Sequence, residues 1–149
     1  MDISYGLDII GYYGPYIQAI IVLIAIHANT NIVFIYTLGW LLSNLFNNFL
    51  KQTIKQARPP NQVHTDIENI CHNYGMPSYH MQCSAFSIAF LFCMTMSYQL
   101  LLLTSTLGLL SFKQRHKFRR HTFLQLVVGT IVGAILGWIT YLIIKKLKV

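Results

Sequence analysis

The chain has 149 residues, of which 54% are hydrophobic and only 10% are charged. Ordinary soluble domains carry about 25% charged residues, so this composition excludes that class and indicates a membrane protein. The net charge of +7 would suit nucleic-acid binding, but the basic residues lie at the ends of apolar segments, where membrane proteins keep their charge. We therefore expect the partner to be a lipid in a membrane and not a nucleic acid.

Long apolar runs follow one another along the chain. A helix needs about 20 mostly apolar residues to cross the hydrocarbon core. Runs of about this length are Ile9–Ile26, Ile32–Leu50, His80–Tyr98 and Phe123–Ile144. A further run, Leu100–Ser111, is shorter and spans only with tilt, flanking residues or a thinner bilayer, the alternative being a buried core helix. The pattern predicts an all-α, multi-pass transmembrane bundle of about five helices, with residues 1–149 forming a single domain.

Polar segments join these runs. His27–Asn31 predicts the hinge of a helical hairpin. Lys51–Arg58 is interpreted as a helix end and Pro59 onward as a loop, because Pro-Pro disfavours helix continuation. Phe112–Arg120 is the second predicted loop. If every run spans, the two loops lie on the same side of the membrane; if Leu100–Ser111 does not span, they lie on opposite sides.

The last run contains small residues at a spacing of four, Gly129, Gly133 and Gly137. This spacing is typical of close helix packing in lipid, and we predict no catalytic role for it. Cys83 and Cys93 lie inside an apolar run and are interpreted as small buried hydrophobes.

Two clusters near the first long loop carry groups suited to phosphate. Lys51 and Arg58 are seven residues apart, about two helical turns, so they can project from one helix face. Arginine offers a planar fork for phosphate oxygens and lysine a point charge, although such residues also serve as topological anchors. Pro77-Ser78-Tyr79-His80 precedes an apolar run, so Ser78 predicts a helix cap beside free N–H groups, with His80 facing any bound anion.

The third cluster contains Arg115, His121 and Gln125, and precedes the last apolar run. His121 and Gln125 are four residues apart and share a helix face, so the Gln125 amide oxygen can accept from one imidazole nitrogen and leave the other free to attack. Its neighbouring basic residues by themselves would indicate an anchor for anionic headgroups. A helix N-terminus also favours the neutral imidazole of each histidine.

Read together, the clusters predict a phosphate-transfer site. Cationic side chains hold the phosphate, one histidine attacks phosphorus, and the other protonates the leaving oxygen. The only acidic residues are Asp2, Asp8, Asp66 and Glu68. These form no cluster suited to a metal, so we expect a metal-independent reaction without a cofactor, in which cations supply the charge stabilisation.

The order of these motifs resembles the signature of the type 2 phosphatidic acid phosphatase (PAP2) superfamily, K-x6-R-P, P-S-G-H and S-R-x5-H-x3-D. The matching residues here are Lys51-x6-Arg58-Pro59, Pro77-Ser78-Tyr79-His80 and Arg115-x5-His121-x3-Gln125. Within the superfamily, Tyr74–Ser78, His121-Thr122 and Gln125 are similar to the dolichyldiphosphatases. The resemblance covers residues from about 50 to 138 and implies a PAP2/chloroperoxidase-like helical core.

The resemblance also implies roles for the residues. His121 becomes the nucleophile that forms a phosphohistidine, and His80 the general acid. The phosphate-binding set is Lys51, Arg58, Ser78, Tyr79 and Arg115. The implied reaction is metal-independent hydrolysis of dolichyl diphosphate in the endoplasmic reticulum membrane, with the polyprenyl tail lying among the helices.

Three positions depart from the superfamily signature: Tyr79 replaces Gly, Gln114 replaces Ser, and Gln125 replaces Asp. Tyr79 is compatible with a modified lipid pocket or with an inactive copy. The alternatives are thus a PAP2-type phosphatase for phosphatidate or another isoprenoid phosphate, and a non-catalytic lipid-binding homologue. The positive-inside rule points the site toward the cytoplasm, whereas the dolichyldiphosphatase resemblance implies the lumen. The oligomeric state stays open.

Overall fold

The structure is a computed structural model that describes residues 3–63 and 74–148. Its helices are α1 Ile3–Ile26, α2 Thr30–Ile54, α3 Tyr79–Thr95, α4 Tyr98–Lys117 and α5 Phe123–Leu147. The described ranges contain no β-strand, only an isolated bridge between Ala57 and Tyr74. Three of the helices, α1, α2 and α5, are long and apolar enough to cross a membrane. The predicted all-α transmembrane bundle is confirmed.

The hinge between α1 and α2 lies where the sequence predicts it. Asn29 is the N-cap of α2. Its side-chain oxygen accepts hydrogen bonds from the N–H groups of Asn31 and Ile32 at 3.0 and 3.3 Å. Such a cap satisfies backbone donors that have no partner within the helix. The hairpin of α1 and α2 therefore turns within a few residues.

The helix α4 is longer than the apolar run Leu100–Ser111. It continues to Lys117, so most of the predicted loop Phe112–Arg120 is helical and that prediction was wrong. Lysine, glutamine and arginine favour helix, and cationic side chains in a last turn interact favourably with the helix dipole. The 20 residues of α4 span about 30 Å, enough to return from the end of α3 to the start of α5.

The helices α3 and α5 run parallel in close contact. The glycines of α5 lie against backbone carbonyls of α3: Gly129 against Ser78, Gly133 against Gln82, and Gly137 against Phe86. Because the residue numbers increase in the same direction along both helices, α3 and α5 start at the same end of the bundle. This is the close packing predicted from the glycine spacing, and it brings the two polar loops together as expected for a returning α4.

The interior lies around α3, which packs against all four other helices. A buried apolar cluster fills the half of the bundle away from the two polar loops. It includes Val22, Tyr36, Phe86, Phe90 and Ile144. Large apolar side chains such as Ile24, Phe34 and Leu45 are exposed on the outer surface, as expected for helices that face lipid. Because α3 is central, its first turn lies in the middle of the end of the bundle that carries the two polar loops.

Candidate active site

His121 is buried immediately before α5. Its Nδ1 lies 2.8 Å from the carbonyl oxygen of Gly75. A carbonyl can only accept, so Nδ1 carries the proton and donates it, which leaves the lone pair of Nε2 available on the opposite edge of the ring. We predicted that Gln125 would orient this ring; the structure gives that role to Gly75 instead.

Gln125 holds the loops together. Its Nε2 donates to the carbonyl oxygen of Ala57 at 2.9 Å and to the side-chain oxygen of Gln56 at 3.1 Å. Its Oε1 accepts from the backbone N–H of Thr122 at 3.1 Å, completing a capping box at the start of α5. Because both ends of the amide are used in this way, the predicted catalytic contact of Gln125 with His121 was wrong. Gln125 therefore links the first loop to the start of α5.

The three predicted clusters converge on His121. Burial, followed by the positive charges of Arg58, Lys51 and Arg115, lowers the pKa of His121 to about 3. Its imidazole is therefore neutral near pH 7, the form required of a nucleophile. We expected the neutral form from the helix dipole, but desolvation and three nearby cations are its main causes.

Lys51 and Arg58 reach the site by different routes. Lys51 is buried in the last turn of α2, whereas the helix ends at Ile54 and Arg58 lies in the following loop. The predicted shared helix face was therefore wrong. Arg58 Nη1 donates to the carbonyl oxygen of Arg120 at 3.1 Å, which ties the first loop to the second.

His80 lies in the first turn of α3 and contacts Arg115. The Nη2 of Arg115 is 2.6 Å from Nε2 of His80. A guanidinium can only donate, so Nε2 of His80 accepts this bond and carries no proton in the structure. Arg115 is held in the last turn of α4, not in a loop as predicted. An anion at the site would compete with His80 for this guanidinium.

Ser78 stands at the N-cap position of α3, yet its side chain makes no capping hydrogen bond. The predicted side-chain cap was therefore wrong. Its hydroxyl is fully buried and has no partner in the part of the chain that the structure describes. Buried polar groups are almost always hydrogen-bonded, so an orphaned hydroxyl requires an explanation. A phosphate bound at the start of α3 would supply the missing partner.

A buried polar network fixes α2 against α3. Asn47 Nδ2 donates to Oε1 of Gln82 at 2.7 Å and approaches the Pro77 carbonyl at 3.5 Å. The Nε2 of Gln82 then donates to the backbone carbonyl and hydroxyl oxygens of Ser43 at 2.7 and 3.0 Å. Asn47 lies one turn before Lys51, so the network holds that lysine in register with the start of α3.

The hydroxyl of Tyr79 has a hydrogen-bond partner within α3. The hydroxyl is hydrogen-bonded to the thiol of Cys83, one turn further along α3. The centroid of the Tyr79 ring lies 5.9 Å from that of His80. The phosphate-binding role of Tyr79 stays a prediction. Gln114, the second departure from the signature, is buried in α4 against Gly11.

Acidic residues are sparse around the site. Asp8 pairs with Lys117 at the outer surface, and Asp2, Asp66 and Glu68 lie outside the described residues. Within residues 3–63 and 74–148, no group of three or more His, Cys, Asp or Glu side chains could hold a metal ion. Metal independence stays a prediction.

Some residues of the site were not predicted. The carbonyl of Gly75 accepts a hydrogen bond from His121; the only signal for it was the run Tyr74–Ser78, which places Gly75 near the motif serine. Arg120, interpreted as one of the headgroup anchors, is instead buried. Tyr12 of α1 packs on His80 and Arg115; no motif or spacing in α1 signals this contact.

Comparisons with known proteins agree with this arrangement. The family model of the PAP2 superfamily matches residues 32–148. The chain is 30% identical over 125 residues to a dolichyldiphosphatase of Saccharomyces cerevisiae, in an alignment that covers 76% of this chain and 52% of that protein. The chain thus spans about half the length of the curated relative it matches.

The fold is similar to that of a solved structure. The crystal structure of a transmembrane PAP2-type phosphatidylglycerolphosphate phosphatase from Bacillus subtilis superposes with a TM-score of 0.64 at 14% identity. The similarity covers 97% of this chain and 87% of the other. With the family match over most of its length, and with the motif residues of three distant segments gathered at one end of a helical bundle, the chain belongs to the PAP2 superfamily.

Proposed function

We propose that the protein is a lipid diphosphate phosphatase that converts a polyprenyl diphosphate into the lipid monophosphate and phosphate. The leading candidate substrate is dolichyl diphosphate. The observation that carries the proposal is the state of His121. Its Nδ1–H is held by the Gly75 carbonyl, and the buried, neutral ring lies among Lys51, Arg58 and Arg115. This is a nucleophile placed inside an anion site.

In the first half-reaction, the lone pair of His121 Nε2 attacks the terminal phosphorus. A nitrogen–phosphorus bond forms, and the bond from phosphorus to the bridging oxygen breaks. The electron pair passes to the bridging oxygen of the departing lipid monophosphate, and His80 delivers a proton to it. The cations and the Ser78 hydroxyl bind the oxygens of the transferred group.

His80 can carry that proton only after Arg115 leaves its Nε2. A bound diphosphate competes for the guanidinium, because a charge-assisted bond to an anion is stronger than one to a neutral imidazole. Withdrawal of Arg115 frees Nε2, and the negative charge of the substrate favours its protonation. Substrate binding thus prepares the general acid.

In the second half-reaction, water attacks the phosphohistidine. His80, now neutral, accepts a proton from that water as the new phosphorus–oxygen bond forms. The nitrogen–phosphorus bond breaks, its electron pair returns to His121 Nε2, and phosphate leaves. No metal or cofactor is required in this proposal, because the cationic side chains offset the developing charge.

Support for a polyprenyl substrate comes from the yeast relative, whose name is dolichyldiphosphatase. The motif resemblance extends the proposal to the endoplasmic reticulum membrane. Phosphatidate and other isoprenoid phosphates are the alternative substrates, and a lipid-binding homologue without activity is the alternative from another class. The hydroxyl of Tyr79, bonded to Cys83, does not occupy the anion site, which favours an active enzyme.

Phosphate release by the purified protein in detergent with EDTA tests the proposal. Dolichyl diphosphate and phosphatidate are compared, with terminally ³²P-labelled diphosphate used to trap a base-stable, acid-labile phosphoenzyme. We expect His121→Ala to abolish both release and labelling, and His80→Ala to slow release by about 10²–10⁴-fold.

His27→Ala is the matched control, because His27 is an exposed histidine at the opposite end of the bundle. It should retain wild-type activity. Release that survives His121→Ala would refute the site, and preferential hydrolysis of phosphatidate would assign the alternative substrate. No release from any lipid would support the binding protein.

A further inference from the structure

Three tyrosine rings surround His80. The ring centroids of Tyr12, Tyr79 and Tyr16 lie 5.6, 5.9 and 6.4 Å from that of His80. Tyr16 meets the imidazole edge-to-face, and Tyr12 also carries the guanidinium of Arg115, with Cζ 5.0 Å from the ring centroid. We name these three residues the tyrosine collar. The collar leaves the general acid bounded by aromatic surface on several sides.

Two collar residues come from a helix outside the family match, which begins at residue 32. The position of that helix is fixed by close contacts with α4. The hydroxyl of Ser111 donates to the Gly11 carbonyl at 2.7 Å, and a β-carbon at Gly14 would overlap the same hydroxyl. Tyr12 and Tyr16 flank these contacts, so their backbone positions are set by packing and not by the phosphate-binding motifs.

The chemistry places the leaving group against the collar. An oxygen that receives a proton from His80 must lie within hydrogen-bond distance of that imidazole. In the proposed reaction this oxygen belongs to the departing lipid phosphate, so the ester group beyond that phosphate must pass the rings around His80. Aromatic faces bind hydrocarbon well but offer little to ester carbonyls, which lose hydrogen bonds when buried. The Tyr79 hydroxyl is already bonded to Cys83, so it is not a ready donor to such a carbonyl.

We infer that the tyrosine collar selects a leaving phosphate whose ester oxygen leads directly into a hydrocarbon chain, as in a prenyl lipid, over one that leads into a glycerol ester. This inference rests on the proposed function and names the group that the same site accepts. Tyr16 is exposed over 41% of its surface, so it presents a face that a lipid chain can reach from the membrane.

Two substrates with the same diphosphate separate the collar from the phosphate site. Farnesyl diphosphate provides the hydrocarbon ester and diacylglycerol diphosphate the glycerol ester. Tyr16→Leu keeps an apolar side chain and removes the aromatic face. Pairs of aromatic rings contribute about 0.5–1.5 kcal/mol beyond their buried area. If the contact of Tyr16 with the prenyl double bonds is of the same size, the ratio of kcat/KM for farnesyl over diacylglycerol diphosphate should fall about 2- to 12-fold.

Tyr5→Leu is the matched control, since Tyr5 is an exposed tyrosine of α1 near its start. It should leave the ratio unchanged. An equal loss on both substrates, or an unchanged ratio in Tyr16→Leu, would overturn the collar. Wild-type protein that prefers diacylglycerol diphosphate would also overturn it while leaving the phosphatase intact.

Failure of the proposed function can be recognised separately. If wild-type protein cleaves neither diphosphate, binding of the methylene-bridged analogue of farnesyl diphosphate is measured by calorimetry. Weaker binding by Tyr16→Leu, with Tyr5→Leu like the wild type, would still support the collar in a protein that only binds the lipid. Equal affinity in all three proteins would overturn it.

Discussion

Gly133 lies where α5 meets the backbone of α3. A β-carbon there would overlap the Gln82 carbonyl oxygen and lie 2.8 Å from the carbonyl carbon. Both contacts are with backbone, so no side chain can rotate away, and Gln82 is itself fully buried in the network with Asn47. In Gly133→Ala the two helices must therefore separate.

The magnitude follows from two opposing effects. Overpacking costs about 1–3 kcal/mol, and contact with rigid backbone favours the upper end. Alanine regains up to about 1 kcal/mol of helix propensity over glycine, which leaves a net loss of about 2 kcal/mol. For a chain of this size, that loss lowers the melting temperature by about 4–8 °C. Activity should also fall, because α3 carries Ser78 and His80.

Thermal unfolding in detergent, followed with a thiol-reactive dye, measures this effect. Gly6→Ala is the control, since a β-carbon at this helical glycine would meet nothing within 4 Å. It should melt at or slightly above the wild-type temperature. The reasoning would be refuted if Gly133→Ala melted as high as Gly6→Ala.

Three further predictions concern the site. Gln125→Ala should reduce kcat by about 10-fold or more, since a small misplacement of reacting groups is costly; steady-state kinetics with unchanged helical circular dichroism would check this, and wild-type kcat would contradict it. Asn47→Leu should weaken inhibition by vanadate, because the network no longer holds Lys51 in register. Asn48→Leu, a change at its half-buried neighbour outside the network, should not. In the folded protein the pKa of His121 is about 3, below its ordinary value of 6.5. As the pH falls, the unfolded chain therefore takes up a proton before the folded chain does. The stability that the neutral ring contributes is complete above about pH 6.5 and is lost as the pH falls toward 3. The melting temperature of His121→Asn should therefore fall less between pH 7 and pH 4 than that of the wild type, and parallel curves would count against the lowered pKa.

Much of the fold follows from patterns that are local in sequence. Apolar runs of membrane length predict the helices, and glycines at a spacing of four predict the contact of α5 with α3. The predicted end of α4 at Ser111 was wrong. Hydropathy falls at Lys113, but helix propensity stays high to Lys117. Hydropathy reports where a chain meets lipid, and a helix can continue beyond that boundary.

The site was predictable in its membership but less so in its contacts. Motif order indicated that Lys51, Arg58, Arg115 and the two histidines would meet, and the structure brings them together. The motifs did not reveal that a backbone carbonyl accepts a hydrogen bond from His121, because every residue has a carbonyl and no side-chain pattern marks this one. The tyrosines of α1 were hidden for another reason: their contact with His80 depends on tertiary packing between segments far apart in the chain.

The parallel contact of α3 and α5 has a consequence for how this site can change. Carbonyls of α3 meet glycines of α5 at matching intervals of four residues, so the helices fit together only at separate registers about one turn apart. Sliding α5 by four residues, to the next register, would move His121 by about 6 Å along the helix axis relative to His80. The spacing between the two histidines can therefore change only in steps of one register, and the glycines of α5 set those steps.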